Sequence, residues 1–173
     1  YIGIELEFPI VHVQGHPTDI EVSKDLMRFL VGALSLEVEK EDQNGNPIQL
    51  VEPTSQDRIL FEVSYTTLEF AFGRAQSIQE VQERFAAYMK VIQEKLREKD
   101  HAIQGRGIHP NWNQNDNRPV AYPRYQMLMD YLSMGSHQES AHLHDFPQYG
   151  AFICGSQVQL DVSTDNYLRV INA

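Results

Sequence analysis

The sequence predicts an α+β fold with a largely antiparallel sheet, and three stretches carry that prediction. At the start, Ile2, Ile4, Leu6, Phe8 and Ile10 alternate with Gly3, Glu5, Glu7 and Pro9, the period of a strand with one face bound for the core. In the middle, Ile78, Val81, Phe85, Tyr88, Met89, Ile92 and Leu96 recur at helical spacing, and Ser77 with Glu80 makes a capping box ahead of them. Between the two lies Asn44-Gly45, a strong hairpin signal. Strands and hairpins followed by packed amphipathic helices describe a sheet with helices against one face.

The elements follow in order. After the opening strand, "HVQGHPTD" is a loop punctuated by Gly and Pro. "DIEVSKDLMRFLVGAL" is an amphipathic helix with Leu26, Phe29, Leu30 and Ala33 on its inner face. "SLEVEKEDQNGNPIQLVEP" is the hairpin, and "RILFEVSYTTLEFAFG" is rich in β-formers. The long helix over 77–100 leads to a short strand, "AIQGRGI", and a loop, "HPNWNQNDNRPVA". A helix from about Pro123 to Met134, a His-rich loop and the strand "GAFICGSQVQLDVS" come next. "STDNYLRVINA" reads as the start of a helix capped by Ser163 or Thr164, with Asp165 in its first turn.

At 173 residues and without internal repeats, the chain suits a single domain over 1–173 with length enough for a real core. It lacks an initiator Met and closes on a helix barely begun, so it reads as part of a longer protein. A net charge of −10 argues against a general binder of nucleic acid or anionic membrane. No apolar run approaches the roughly 20 residues of a membrane span, and no signal peptide is visible. A lone cysteine, Cys154, excludes an internal disulfide and fits a reducing cytosol.

The chemistry lies in the carboxylates. Glu5 and Glu7 share one face of the first strand, roughly 6–7 Å apart, and two like charges that close call for a cation. Glu62 and Glu69 are seven residues apart, which in an unbroken strand puts them on opposite faces. A turn at Tyr65-Thr66 would make them direct cross-strand partners, and a bulge or wider bend would also bring them to one face. Gln157, Gln159, Asp161 and Ser163 line one side of the last strand, with Val158, Leu160 and Val162 on the other. Three strands offering acids and amides look like a lined site, and such hard oxygen donors suit Mg²⁺ or Mn²⁺ rather than zinc.

Other signals are weaker. "HLHD" (His142, His144, Asp145) has a metal-like spacing but reads first as a solvated loop. His109 is a site residue or part of a turn, Trp112 a lid or a plug at the sheet end, and Cys154 a buried core thiol. No phosphate-binding glycine loop of the G-x-x-x-x-G-K-[ST] type is present.

The residues resemble the N-terminal half of the glutamate–cysteine ligase (γ-glutamylcysteine synthetase) family, among the glutamine-synthetase-like carboxylate–amine ligases. The resemblance rests on "GIELEFP" at 3–9, "FEVSYTTLEF" at 61–70, "GIHPNW" at 107–112, "PRYQMLMDYL" at 123–132 and "CGSQVQLDVS" at 154–163. It implies a partial, open half of a funnel, a curved, largely antiparallel sheet with helices behind. It also implies ATP-dependent joining of L-glutamate to L-cysteine through a γ-glutamyl phosphate, with Mg²⁺ or Mn²⁺, in the cytoplasm. By the same resemblance Glu5, Glu7, Glu62 and Glu69 are metal ligands. Gln157 and Gln159 stand where relatives place groups near metal and phosphate, and Arg124 partners a substrate carboxylate or a phosphate.

One departure tempers this. The family closes its funnel with later strands that bring a further acidic ligand and nucleotide-binding arginines, and these do not follow Ala173. The chain alone is therefore expected to hold part of a site, with little or no ligase activity, and to carry an open sheet edge that invites self-association. The alternatives are a non-catalytic ligand-binding or interaction domain that keeps the fold, and a metal-dependent hydrolase built on the same acids.

Overall fold

In the computed structural model, which describes residues 1–134, 146 and 148–172, the alternating stretch at the start becomes the hub of the sheet. This strand, β1 (Ile2–His12), pairs along one edge with β5 (Thr67–Ala71). Its other edge is shared by β7 (Ser156–Leu160), opposite residues 2–6, and β6 (His101–Ile103), opposite residues 10–12. Outward from β5 the sheet continues through β4 (Arg58–Phe61), β3 (Pro47–Val51) and β2 (Glu37–Glu41). Every pairing among the described residues is antiparallel, so the sheet is open and of the kind expected.

Helices α1 (Ile20–Ala33) and α2 (Ile78–Arg97) pack on the apolar face. Leu26, Met27 and Leu30 of α1 and Val81, Ile92 and Leu96 of α2 close over Ile10, Leu50, Leu68 and Phe70 of the sheet. Each such side chain contributes about 1.5–3 kcal/mol by leaving water. Phe70 meets Phe8 and Phe85 edge-on, with ring centroids 5.9 and 5.3 Å apart. Ser77 caps α2 by accepting the Glu80 N–H, and the Glu80 carboxylate accepts from Gln76, one residue before the cap. Among the described residues no helix is long and apolar enough to cross a membrane.

Several details differ from the sequence reading. On α1 the inward residues are Ser23, Leu26, Met27 and Leu30, while Phe29 and Ala33 face out. Phe29 is covered by the Lys95 ammonium, 5.1 Å above its ring. The hairpin turn spans 42–46 because the Asp42 carboxylate gathers the N–H groups of Asn44 and Asn46 and the Asn46 amide. The short strand expected over "AIQGRGI" is β6, which begins at His101 and ends at Ile103, and the last strand begins only at Ser156, after a 3₁₀ turn over Tyr149–Ala151. Val158, Leu160 and Val162 are exposed, because the helices stop short of β7. At the end, α4 (Tyr167–Ile171) starts after Asn166, whose side chain accepts from the Ser163 N–H. The His142, His144 and Asp145 loop lies outside the described residues.

Candidate active site

The polar face of the sheet gathers four glutamates from three stretches of chain. Glu7 on β1 stands directly opposite Glu69 on β5. Glu5, two residues along the same face, is opposite Gln157 on β7. Glu62 follows β4, and the turn that brings it here is neither the tight Tyr65-Thr66 turn nor a continuous strand. Glu69 pairs with Leu60, so Glu62 lies opposite Thr67 and diagonal to Glu69 on one face. A wider bend makes this possible. Val63 adopts φ 59°, the Ser64 N–H bonds to Glu62 O at 2.6 Å, and the Thr67 hydroxyl also donates to Glu62 O.

Together Glu5, Glu7, Glu62, Glu69 and Gln157 line a cavity of about 270 Å³. Its far wall is supplied by α3 (Pro123–Met134) and the residue before it, through Tyr122, Arg124 and Tyr125, with Lys40 and Gln49 from the hairpin. Arg124 is exposed at the mouth, and its charge acts on Glu62. The Tyr125 hydroxyl donates to Phe61 O at 2.9 Å and is held protonated by burial and by the charges of Glu62 and Glu69.

Electrostatically the acids are under strain. Burial pushes the Glu69 carboxyl up to about 8, reinforced by its hydrogen bond to Glu62 and the charges of Glu62, Glu5 and Glu7. Burial raises Glu62 as well. The pair thus holds a proton between them near neutrality, Glu69 donating and Glu62 accepting. Glu7 is fixed from the other side: its Oε2 accepts the Gly155 N–H at 2.6 Å. A pocket of converging carboxylates that must retain a proton to relieve its own repulsion fits a hard divalent cation, which would take that proton's place. Among the described residues no group of three or more His, Cys, Asp or Glu side chains is already placed to hold a metal ion, so the acids would have to draw together around one.

The other sequence candidates separate. Gln159 lies outside this cavity, in a shallow recess with Tyr1, Gly3 and Arg74, its amide oxygen 2.9 Å from where a Gly3 Cβ would sit. His109 is fully buried and structural. Its Nε2–H faces Ile10 O at 2.8 Å and the Thr18 hydroxyl at 3.1 Å, while Nδ1 accepts the Asn111 N–H, which fixes the neutral ring. Trp112 stacks on Phe152 at 4.9 Å, away from the acids. The Cys154 thiol is partly buried, outside any strand, and raised to about 12 by burial and by the charge of Glu7, so it is no nucleophile.

Sequence reasoning missed Lys40, Gln49, Tyr122 and Tyr125. The two tyrosines flank Arg124 in "YPRY", a signal that was available. Lys40 and Gln49 are cross-strand partners bonded at 2.8 Å, but a bulge between Val38 and Lys40 breaks the alternation that would have aimed them at the acids.

Compared with known families, residues 1–170 match the model described as Glutamate-cysteine ligase family 2. No curated protein matches the chain.

Proposed function

From the premise that the chain belongs to glutamate-cysteine ligase family 2, we propose that it forms the N-terminal part of a catalytic domain, residues 1–173, that joins L-glutamate to L-cysteine at the expense of ATP. Membership carries a glutamate–cysteine-ligase-type function; the ATP dependence, the acceptor and the residue roles are our reading. The observation that carries it is the proton-sharing acid pocket of Glu5, Glu7, Glu62 and Glu69.

In this reading the γ-carboxylate oxygen of glutamate attacks the γ-phosphorus of ATP, and the bond to the bridging oxygen breaks to release ADP. The amine of cysteine then attacks the acyl phosphate carbonyl, phosphate leaves, and the amine proton is lost to give the amide. Glu5, Glu7, Glu62 and Glu69, with the Gln157 amide oxygen beside Glu5, would hold Mg²⁺ or Mn²⁺. When bound, the cation neutralises charge on the phosphates and the attacking carboxylate. The chain's own part is positioning. The Gly155 N–H fixes the Glu7 carboxylate, and Tyr125, anchored to Phe61 O, walls the acids from water. Arg124 at the mouth would grip a substrate carboxylate. A thiol at Cys154 agrees with a reducing, cytoplasmic setting, and the exposed β7 edge favours self-association.

The test is calorimetric titration of Mn²⁺ into the protein and its Glu5→Gln and Glu69→Gln variants. Binding that weakens about tenfold or more in both variants, the loss of one charged ligand, is the expected result. Equal binding in all three would mean the acids merely face water, and the reading would fail.

A further inference from the structure

A second cavity, of about 490 Å³, backs onto the segment that walls the acid pocket. Tyr122, Arg124 and Tyr125 of that segment line the acid pocket, whereas Pro119, Ala121 and Gln126 line the outer cavity. The two cavities have no lining residue in common. Helix α1, the hairpin turn, the bend at Tyr65 and the loop before α3 supply the remaining walls of the outer one.

These walls are tied together. The Tyr65 hydroxyl donates to Asp42 at 2.7 Å and accepts the Ala121 N–H at 3.2 Å, and the Gln43 N–H bonds to Ala121 O at 3.0 Å. The Tyr65 ring, itself buried, lies under the Lys24 ammonium, 4.9 Å from its centroid. The charges come as two ion pairs from separate elements: Lys24 with Glu21 at 2.8 Å on α1, and Arg118 with Asp116 on the loop. Both pairs leave capacity unused. Arg118 holds Asp116 through Nε and Nη2, so its Nη1 donors have no partner among the described residues, and neither have the side-chain amides of Asn44 and Gln126. The Glu21 carboxylate is exposed and accepts one hydrogen bond among the described residues, from Lys24, with Arg28 3.8 Å away.

We infer that this cavity is a second ligand site, separate from the acids, for a small zwitterion of the amino-acid or dipeptide type. Two charges of each sign line it, so their sum is zero. A net anion or a net cation meets as much repulsion as attraction there, while a molecule with one ammonium and one carboxylate finds a partner for each. The carboxylate is taken by the open Nη1 of Arg118, with an amide beside it, and the ammonium by Glu21. Ile20, Pro119 and the Tyr65 ring cover the carbon skeleton between them. The volume is that of a preformed ligand cleft, and walls already held by hydrogen bonds lower the cost of ordering them around a ligand. The site uses none of the acids of the first pocket and so does not depend on the ligase reading.

The experiment is saturation-transfer NMR on the metal-free protein with glycylglycine as the probe. N-acetylglycine, which lacks the ammonium, and glycinamide, which lacks the carboxylate, are titrated alongside. The variants are Arg118→Gln and Glu21→Gln, both at exposed side chains, with Arg124→Gln to report on the acid pocket; superimposable melting curves check that each is folded. Glycylglycine is expected to bind the parent protein and to weaken about tenfold in Arg118→Gln and in Glu21→Gln, the loss of one charge-assisted contact. Its affinity should be unchanged in Arg124→Gln, and each analogue should bind about tenfold more weakly than the dipeptide. Absence of transfer to glycylglycine, analogues that bind as well as it does, or a loss confined to Arg124→Gln overturns the site. None of these results touches the ligase reading, which the Mn²⁺ titration tests by itself.

Discussion

Glu69 sits opposite Glu7 and diagonal to Glu62, and its raised carboxyl has a measurable sign. Unfolded, it titrates at its ordinary 4.5; folded, at about 8. Between those values the folded chain holds more protons than the unfolded one, so this contribution to stability is complete below 4.5 and is lost as pH rises through about 8. Thermal melting of the metal-free protein should therefore fall from pH 5 to pH 8, and Glu69→Gln should flatten that slope. An unchanged slope would mean that Glu69 is ionised like a surface acid. His109 works in the other direction. Burial holds its ring neutral below its ordinary 6.5, so the stability it gives is present above that pH and lost as pH falls. His109→Gln should remove the corresponding part of the acid limb, read from melting curves between pH 7 and pH 5. That His109 is structural was not legible in "GIHP": the carbonyl of Ile10 and the hydroxyl of Thr18 that face it come from a distant stretch of sequence.

At the scale of elements, the loop before β4 shows how one buried acid positions several pieces. Asp57, only 2% exposed, accepts from the Gly73 N–H at 2.8 Å, the Tyr88 hydroxyl at 2.9 Å and Arg84 at 2.5 Å. It thereby joins β4, the end of β5 and helix α2. Asp57→Ala should cost about 3–5 kcal/mol in urea denaturation, because it leaves the Arg84 charge largely buried without its partner; a loss below about 1 kcal/mol would assign the joint to packing alone. Element type was readable from period, as β1 and α2 show, because each has one face that must leave water. The inner face of α1 was not, since Phe29 and Met27 both satisfy helical spacing and the choice depends on α2, whose Lys95 covers Phe29. The Glu62–Glu69 relation was equally undetermined: three local geometries were open, and the bend chosen depends on Val63 at positive φ and on bonds from the Ser64 and Thr67 hydroxyls.

For the whole molecule, the open side of the sheet is the feature with most consequence. On β7 the exposed Val158 and Leu160 alternate with Gln157 and Gln159, and no Pro or Lys blunts the strand. An antiparallel pairing of β7 with a second copy about Val158 sets Gln157 against Gln159 without opposing charges. Sedimentation velocity should then show a concentration-dependent dimer that Val158→Lys converts to monomer; a parent protein monomeric throughout would exclude the pairing. The same topology has a consequence in time. β1 is made before its partners, which arrive at residues 67–71, then 101–103, and last at 156–160. During synthesis one edge of β1 therefore waits until residues 156–160 emerge, so the nascent polypeptide carries an aggregation-prone edge where its acids will later converge. The charges on Glu5 and Glu7, a burden in the finished pocket, then act as guards that keep that waiting strand from the wrong neighbour.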